Sequence, residues 1–555
     1  MIQTIRTKAL WASIVLALVV LAVGLVFGPW WLLFEIVFVP LVLLGIYDFF
    51  QPRHSILRNY PLVGHLRFVL EDMGPELHQY LIENDEDGRP FNRDTRSLIY
   101  QRAKGVPDQK PFGTELDVYS SGYTWMTHSI APRPMIKDPE VNMRVTVGGP
   151  QCTQPYSASV LNISAMSFGA LGRQAVRSMN QGAKLGGFAQ CTGEGGLSRY
   201  HREHGGDLIW QIGTGYFGCR NEDGTFSPEK FTKNATDPQV KMIEIKVSQG
   251  AKPGHGGILP GAKVTAEIAE ARGVKQGVDC FSPTYHSAFS TPLEMCAFIQ
   301  SLREMSGGKP VGFKICIGEP REFMAIIKGC LESGILPDFI TVDGGEGGTG
   351  AAPLEFSDSL GSPLLEGLMI VQATLVGAGL RDKIRIAASG KMVTASAMAQ
   401  SMSLGADWCN SARAFMFSVG CIQSQRCHTN KCPVGVTTQN PKLQRAIVVE
   451  DKAQRVHGFH RNTVHALAEM VAAMGLDHAS ALSPSHIYKR VNQSRVESFN
   501  EIYGSVAPGS LLEGAAYARF QGWWDDCHAN TFRHTIDNIV SPSGVRPEDR
   551  AAPAV

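Results

Sequence analysis

Three cysteines stand close together in the second half of the chain, with five residues between the first two and four between the second and the third. They are Cys421, Cys427 and Cys432, and Pro433 follows directly. Thiolate ligands suit zinc and iron–sulfur clusters. Because a structural zinc site takes four protein ligands, three cysteines favour an iron–sulfur cluster. The alternative is three reduced thiols without a ligand role.

Three further segments combine glycine with polar or charged residues: Ser164-Ala-Met-Ser-Phe-Gly169, Lys252-Pro-Gly-His-Gly-Gly-Ile-Leu-Pro-Gly261 and Asp343-Gly-Gly-Glu-Gly-Gly-Thr-Gly350. The last has five glycines in eight residues, so its backbone must turn tightly or let a ligand approach closely. Any one glycine-rich segment is weak evidence of a site. The four motifs together, in a fixed order, carry more weight.

In that order, the four motifs resemble the synthase domain of glutamate synthase over roughly residues 150–480. The resemblance implies bound FMN and a 3Fe–4S cluster held by the three cysteines. The chain departs from the family at two places. His255 and Ile258 stand where the family motif has glutamate and glutamine, and Gly345-Glu346 stands where it usually has His-Asp.

The resemblance also implies which residues contact FMN. Loops after strands seven and eight of such barrels often hold phosphate, and small residues with nearby cations suit that role. A buried lysine is costly unless it is paired, and Lys314 could stabilise charge on a reduced flavin. Its alternative is a lysine that reaches solvent from a strand end. The implied contacts are Ser164, Ala165, Met166, Ser167, Lys314, Gly347, Gly348, Gly350, Ser389, Gly390, Lys391, Ser411, Ala412 and Arg413.

For the substrate, Lys252 and Arg272 match the lysine and arginine that contact 2-oxoglutarate in the family. The alternative is two solvated surface cations. Ser167 could donate a hydrogen bond to flavin or substrate. Glu194, in Thr192-Gly-Glu-Gly-Gly196, could be a catalytic acid or base, or a hydrogen-bond acceptor for local backbone amides. Ile258 removes one polar contact from the motif, and sites built to bond a substrate group discriminate strongly.

Short apolar segments that alternate with helical ones predict an α/β fold with a parallel sheet, and eight of them predict a (β/α)8 barrel. The predicted strands are Val160–Ile163, Gly187–Cys191, Met242–Val247, Val278–Phe281, Val311–Ile315, Phe339–Val342, Ile384–Ala388 and Asp407–Asn410. The domain prediction has four parts. A membrane hairpin occupies residues 1–50, a leading segment that packs on the barrel 51–149, the barrel with its cysteine loop 150–440, and a mostly helical extension with a loose tail 441–555.

The N-terminal hairpin is predicted from two apolar segments, Ala9–Phe27 and Trp30–Tyr47, separated by Gly28-Pro29. The first is long enough to span a bilayer, which takes about 17–25 residues. Basic residues flank both segments, which predicts a two-pass anchor with the rest of the chain on the cytoplasmic side. The alternative, a cleaved signal peptide, has a shorter apolar region and a small-residue cleavage site. The flanking residues are Arg6, Lys8, Arg53 and Arg58.

The net charge of +1 gives no basic excess for nucleic acid. The other nine cysteines are scattered, which fits a reducing compartment. Together, these features predict an enzyme that reductively aminates a 2-oxo acid, with 2-oxoglutarate favoured. The nitrogen would come from ammonia or an amine, and the electrons from a donor protein or membrane carrier. No glutaminase nucleophile or nicotinamide fingerprint is found, so ammonia and electrons are expected from elsewhere. The alternatives are an N-methylglutamate-synthase-like enzyme that uses an alkylated amine, and an electron-transfer module without its own substrate.

Overall fold

The structure is a computed structural model, and it describes residues 7–533. Arg6 and the tail Ser541–Val555, for which the sequence makes predictions, lie outside the described residues. The chain forms two compact units, one ending at Asp94 and the other beginning at Thr95.

The second unit is built on a closed barrel of eight parallel strands. Each strand pairs with the next, and the last pairs with the first through Cys409–Leu161, Asn410–Asn162 and Ser411–Ile163. This confirms the predicted barrel. The strands are β1 Leu161–Ile163, β2 Gln190–Cys191, β3 Leu208–Ile212, β4 Val240–Lys246, β5 Val311–Ile315, β6 Phe339–Asp343, β7 Arg385–Ser389 and β8 Trp408–Ser411.

One predicted strand is wrong, and one barrel strand was missed. Residues 278–281 do not enter the barrel, because Cys280–Phe281 pairs antiparallel with Ile258–Leu259 in a separate two-stranded sheet. The missing strand is β3, a segment of five buried residues. Because one strand is lost and one gained before Val311, that strand is still the fifth of the barrel, as predicted, and it still carries Lys314.

Helices connect the barrel strands, and several begin with side-chain caps. Thr291 and Glu294 form a capping box ahead of Pro292, whose missing N–H costs nothing at a helix start. Thr265 and Thr394 cap two other helices by accepting a single backbone N–H each, from Ile268 and Ala397. The helices from β1 to just after β8 are Arg173–Gly186, Arg199–Arg202, Pro228–Ala235, Ala266–Arg272, Pro292–Met305, Pro320–Ser333, Leu354–Ser359, Leu364–Gly377, Ala395–Ser403 and Arg413–Val419.

A long helix after the barrel, Val449–Ala473, packs on the barrel helix Arg173–Gly186. Gly182 makes the approach close, because a Cβ there would lie 2.4 Å from Val456 Cγ1. The other elements of residues 441–533 are the helices Pro441–Gln444, Phe499–Tyr503 and Ala518–Asp525, the short 3₁₀ turns Ala479–Ala481 and Pro484–His486, and the strands Ile487–Arg490 and Val496–Ser498.

The amino end of the barrel is closed by a hairpin, Arg144–Val147 paired with Tyr156–Ser159. Above it lies an apolar cluster that includes Ile209, Met242 and Trp408, each at most 2% exposed. Burying large apolar side chains here fills the barrel interior. Separately, the strand Thr124–Met126 pairs with Ile487–Arg490 and so joins the small sheet formed after the barrel. The remaining helices ahead of the barrel are Arg93–Lys104 and Pro139–Asn142.

The first unit contains two helices long and apolar enough to cross a membrane, by length and composition. The first is Lys8–Phe27. The second consists of the 3₁₀ turn Pro29–Phe34 and the helix Glu35–Phe50 that continues it. Gly28 separates them with a φ of 120°, which favours glycine. Near the end of the second helix, Asp48 accepts the Leu62 N–H at 3.0 Å and contacts His65 at 2.9 Å. The remaining helical segments are Ser55–Asn59, Gly64–Leu77 and His78–Ile82.

Candidate active site

Four charged side chains gather at the carboxyl end of the barrel, where the loops after the strands converge. Glu194 follows β2 and Lys246 ends β4, and their Oε1 and Nζ atoms lie 2.8 Å apart. Lys252, in the loop after β4, and Arg272, at the end of the next helix, are 4% and 5% exposed. Both are therefore buried, which excludes the alternative of two solvated surface cations.

The charges of this cluster act on one another. Burial by itself would raise the pKa of Glu194, but the hydrogen bond and charge of Lys246 and the charges of Arg272 and Lys252 outweigh it and hold the pKa below its usual value. Burial lowers the pKa of Lys252, and Glu194 partly offsets this. Glu194 thus stays ionised among three cationic side chains, and the excess positive charge favours an anionic ligand.

Arg272 connects this cluster to the loop after β1. Its Nη2 atom lies 3.5 Å from Ser167 Oγ and 3.4 Å from the Phe168 carbonyl oxygen, and its guanidinium stacks over the Phe217 ring at 5.0 Å. The Nε atom is buried and has no hydrogen-bond partner among the described residues. Nη1 also donates to Cys280 Sγ at 3.8 Å, so both arms of the fork are held and the unpaired Nε–H is the donor left for a carboxylate. Ser167 therefore lies beside the candidate acid site.

Lys314 of β5 lies in a second buried cluster. Its Nζ is 3.3 Å from Asp343 Oδ2 at the end of β6, and both residues are less than 8% exposed. Burial disfavours its charge, but Asp343, Glu244 and Cys191 favour it, and the pKa of Lys314 is raised overall. The ammonium is therefore ionised inside the barrel. It is a paired interior lysine, and the alternative in which it reaches solvent is wrong.

The glycine-rich loop after β6 lies against Arg413. A Cβ at Gly348 would stand 2.6 Å from Arg413 Nη1, so the loop backbone passes close to the guanidinium, and Arg413 Nη2 donates to the Glu346 carbonyl at 3.1 Å. Gly347 turns the loop by donating to the Gly344 carbonyl at 2.8 Å. On the far side, a Cβ at Gly350 would lie 3.6 Å from Cys427 Cβ. The loop thus runs between Arg413 and the cysteine segment.

Glu346, which replaces the family's usual residue in this loop, has a local role. Its carboxylate accepts the N–H of Leu364, the first residue of a helix, at 3.0 Å. Burial raises its pKa, and nearby Asp343 adds to this while Lys391 opposes it. Acceptance of a helix-terminal N–H by a side chain stabilises that helix start. Glu346 therefore anchors the loop from within.

The ends of β1, β7 and β8 meet at the loops predicted to hold phosphate. Ser164 Oγ lies 3.2 Å from Ser389 Oγ, and the Ser164 N–H donates to the Ser411 carbonyl at 2.9 Å. Gly390 and Lys391 both have positive φ, at 151° and 45°. The other predicted contacts lie in the same loops: Met166 beside Gly193, Ala165 against the apolar cluster, and Ala412 at the start of the helix Arg413–Val419. The glycine backbone, the serine hydroxyls and the exposed Lys391 here fit a phosphate-bearing cofactor.

The cysteine segment lies next to the glycine-rich loop after β6, but it does not form a metal site in the structure. Among residues 7–533, no group of three or more His, Cys, Asp and Glu side chains is close enough to hold a metal ion. Cys421, Cys427 and Cys432 nevertheless act on one another: burial raises the pKa of the Cys421 thiol to about 12, and the other two thiols contribute. The iron–sulfur cluster stays a prediction.

Sequence reasoning missed two buried lysines near the site. Lys246 ends a strand in the run Glu-Ile-Lys, the same signal that singled out Lys314 in Gly-Phe-Lys-Ile. Lys263 donates to the carbonyl oxygens of Ala170, Cys427 and Thr437 at 3.1, 3.2 and 2.9 Å. No local sequence signal marks Lys263, because its three acceptors come from distant parts of the chain.

Residues 140–477 match the family described as the conserved region in glutamate synthase. Over 537 residues, 89% of this chain and the full length of the relative, the chain is 37% identical to the glutamate synthase large subunit-like protein YerD of Bacillus subtilis. It is 35% identical to the archaeal glutamate synthase (NADPH) of Archaeoglobus fulgidus over 58% of this chain and 59% of that protein.

Solved structures align with about three quarters of this chain at low identity. A flavocytochrome b2 mutant with benzoylformate aligns over 75% of this chain and 91% of its own, with 12% identity and a TM-score of 0.41. Mandelate oxidase with (S)-2-phenylpropionate aligns over 73% and 98%, with 13% identity and a TM-score of 0.39.

The chain belongs to the glutamate synthase family. Glutamate synthases are oxidoreductases, and this chain is an oxidoreductase of that family.

Proposed function

We propose that the protein is an FMN- and 3Fe–4S-dependent enzyme that reductively aminates a 2-oxo acid. The observation that carries the proposal is the buried cluster of Lys246, Lys252 and Arg272 around one carboxylate, Glu194. A protein that only relays electrons has no need for three cations around one anion in a desolvated pocket. An acid substrate supplies the missing negative charge.

The charge of the cluster favours a diacid. Three cations and one carboxylate leave a surplus of two positive charges, and a dicarboxylate such as 2-oxoglutarate would neutralise it. Ile258, in place of the family glutamine, is 42% exposed in its short strand. The charged residues therefore supply most of the recognition, and we favour 2-oxoglutarate as the acceptor.

FMN supplies the hydride chemistry when bound. Residues at the ends of β1, β6, β7 and β8 would hold it, with Ser389-Gly390-Lys391 and Ser411-Ala412-Arg413 toward the phosphate. Gly348 and Gly390 provide the close backbone approach that a flat cofactor needs. Lys314 would place a positive charge where a reduced flavin accumulates negative charge.

Electrons would enter through a cluster on Cys421, Cys427 and Cys432. Three thiols, with Lys263 donating to the Cys427 carbonyl beside them, fit an electron-rich sulfur cluster in donor type and local charge. The donor would be a partner protein or a membrane carrier, and the nitrogen would come as ammonia or an amine. Gly350 beside Cys427 brings the cysteine segment next to the loop after β6.

The proposal is tested by anaerobic reduction of the purified protein, followed by mixing with 2-oxo acids with and without ammonia or methylamine. Flavin reoxidation that requires both 2-oxoglutarate and a nitrogen source supports reductive amination. Faster reoxidation with methylamine than with ammonia would favour the N-methylglutamate-synthase-like alternative. A flavin whose spectrum and reoxidation no 2-oxo acid alters would favour the electron-transfer module.

The cluster has a separate test. Cys427→Ser should abolish the iron–sulfur absorbance and EPR signal and leave bound FMN nearly intact, because different loops hold the two groups. Cys152→Ser, a half-buried cysteine outside the motif, serves as the control and should change neither. An EPR signal that survives Cys427→Ser would show that this cysteine is not a ligand.

We also propose that the two N-terminal helices anchor the protein in a membrane as a two-pass hairpin, with the barrel on the cytoplasmic side. Much of their apolar surface is exposed, including Leu25, Phe27 and Trp30 at 75% or more. Removal of residues 1–50 should convert a membrane-bound protein into a soluble one that keeps its flavin. Soluble full-length protein, or a mature N-terminus beyond residue 28, would contradict this proposal.

A further inference from the structure

One carboxylate oxygen holds both the interior lysine and the loop that carries Lys252. Asp343 Oδ2 lies 3.3 Å from Lys314 Nζ and accepts the Gly250 N–H at 2.8 Å. Gly250 stands two residues before Lys252, at the start of the loop after β4. Lys314 is the proposed contact of the flavin, and Lys252 is a proposed contact of the acid. Asp343 is thus the direct link between the two.

The contact between the loops is tight. A Cβ at Gly250 would lie 1.7 Å from the Gly344 carbonyl oxygen, so the backbone of the Lys252 loop rests on the residue that follows Asp343. Gly250 and Gly344 have no side chains, so the two backbones are in direct contact. A shift of Asp343 therefore moves Gly250 as well, since packed backbone passes on displacement.

The charges around Lys314 make its position sensitive to a further negative charge. Asp343 and Glu244 both act on this one ammonium, and Glu244 is fixed by Gln211 at 2.7 Å and Thr341 at 2.6 Å. Asp343 is the partner that also bonds a loop. If another anion draws Lys314 away, Asp343 is left to the Gly250 N–H and to nearby cations, and its hold on the loop strengthens.

We propose that Asp343 is a positioning residue that couples the redox state of the flavin to acid binding. Reduction adds negative charge near Lys314, which releases Asp343 toward Gly250 and fixes the Lys252 loop in the form that binds the acid. The inference rests on the proposed function and names its regulation: the 2-oxo acid binds the reduced protein more tightly than the oxidised one. By linkage, the acid must also raise the flavin's reduction potential.

The expected sign separates this coupling from simple electrostatics. An anion that binds near a flavin repels the charge added on reduction, so Coulomb's law alone predicts that the acid lowers the potential. A rise in the potential requires a compensating change in the protein. Asp343 supplies that change, because it contacts both Lys314 and the Lys252 loop.

The test is a redox titration of the FMN-loaded protein with and without saturating 2-oxoglutarate. We expect about tenfold tighter binding to the reduced wild type, which corresponds to a rise of about 30 mV for a two-electron couple. Asp343→Asn keeps the shape but loses the charge that pairs with Lys314, so the rise should vanish or change sign. The flavin spectrum reports binding independently of turnover.

Asp407→Asn is a matched control. Asp407 Oδ2 also holds a cation and a backbone N–H, Arg381 at 2.9 Å and Ile386 at 2.7 Å, but it lies at the amino end of β8. This variant should keep the wild-type rise.

Three outcomes decide the matter. A wild-type potential that 2-oxoglutarate leaves unchanged or lowers overturns the coupling, and this holds even if Asp343→Asn fails to retain flavin. A rise that survives in Asp343→Asn assigns the coupling to another residue and also overturns the proposal. A wild-type flavin that no 2-oxo acid perturbs refutes the proposed function itself.

Discussion

The two ends of the barrel hold buried charges in different ways. At the amino end, Asp338 pairs with Arg303 at 3.0 Å, and its oxygens also accept the N–H groups of Gly149 and Val311 at 2.6 and 2.8 Å. At the carboxyl end, Glu194 stands among Lys246, Lys252 and Arg272. One carboxylate is matched by a single cation and bonded by the backbone, and the other is outnumbered.

The difference shows where the fold places stability and where it places binding. Buried polar groups that are fully bonded stabilise a single arrangement, whereas a buried cluster with excess charge of one sign is a candidate for ligand binding. In a parallel barrel, the loops at the carboxyl ends of the strands carry the binding residues, and the amino end contributes stability. The following predictions test this contrast.

The largest effect is expected at the amino end. Asp338→Ala leaves Arg303 buried without its carboxylate, so the free energy of unfolding should fall by about 3–5 kcal/mol, the range for breaking a buried ion pair. Denaturant unfolding measures the loss. Affinity for 2-oxo acids in the folded fraction should stay near wild type. A loss below about 1 kcal/mol would show that this pair does not stabilise the barrel.

Arg272→Lys tests the carboxyl end. It keeps the charge but loses the fork, so it should weaken 2-oxo acid binding by about 1.5–3 kcal/mol, the range for hydrogen bonds to charged groups. Titration of the flavin absorbance gives the affinity. Flavin content and unfolding free energy should change little. Unaltered affinity, or a loss of stability as large as that of Asp338→Ala, would remove the contrast between the two ends.

Glu194→Gln should have a smaller, pH-dependent effect. The pKa of Glu194 is lowered in the folded protein, so its contribution to stability is present above the ordinary glutamate pKa and is lost as the pH falls through the lower folded value. At pH 7 the variant should be less stable by about 1 kcal/mol. Unfolding measured at neutral and acidic pH should show the difference shrinking below about pH 4. A difference that grows at acidic pH would contradict this.

The smallest effect is expected at the surface. Glu115 pairs with Lys110, and both side chains are more than half exposed. Because solvent and salt screen such pairs, Glu115→Gln should change the unfolding free energy by no more than about 0.5 kcal/mol. Thermal unfolding at low and high salt measures it. A large change would mean that exposure is a poor guide to the value of an ion pair here.

Much of the barrel could be predicted from local pattern, because most of its strands are short apolar segments, and half of the eight are followed directly by glycine or serine. The exception shows the limit. Val278–Phe281 and Leu208–Ile212 have similar composition, and only pairing with neighbours decides which enters the barrel. Pairing partners are distant in the chain, so a local pattern cannot choose between them.

The candidate site divides in the same way. Lys252 and Arg272 could be named from the family resemblance and Lys314 from its place at a strand end, and the structure shows all three buried. Lys246 carries the same strand-end signal as Lys314 and was overlooked. Asp343 opens a glycine-rich motif and Lys263 lies two residues after another, but their partners are tens to hundreds of residues away, and the motifs do not identify those partners.

The family, the barrel and the types of charged residue follow from motif order and hydrophobic pattern, which are local properties of the chain. Which charges face each other follows from the folded arrangement, in which Glu194 pairs with Lys246 and Asp343 joins Lys314 to Gly250. The reason is physical: electrostatic energy depends on distances of a few ångströms and on burial, and both are set by the folding of the whole chain.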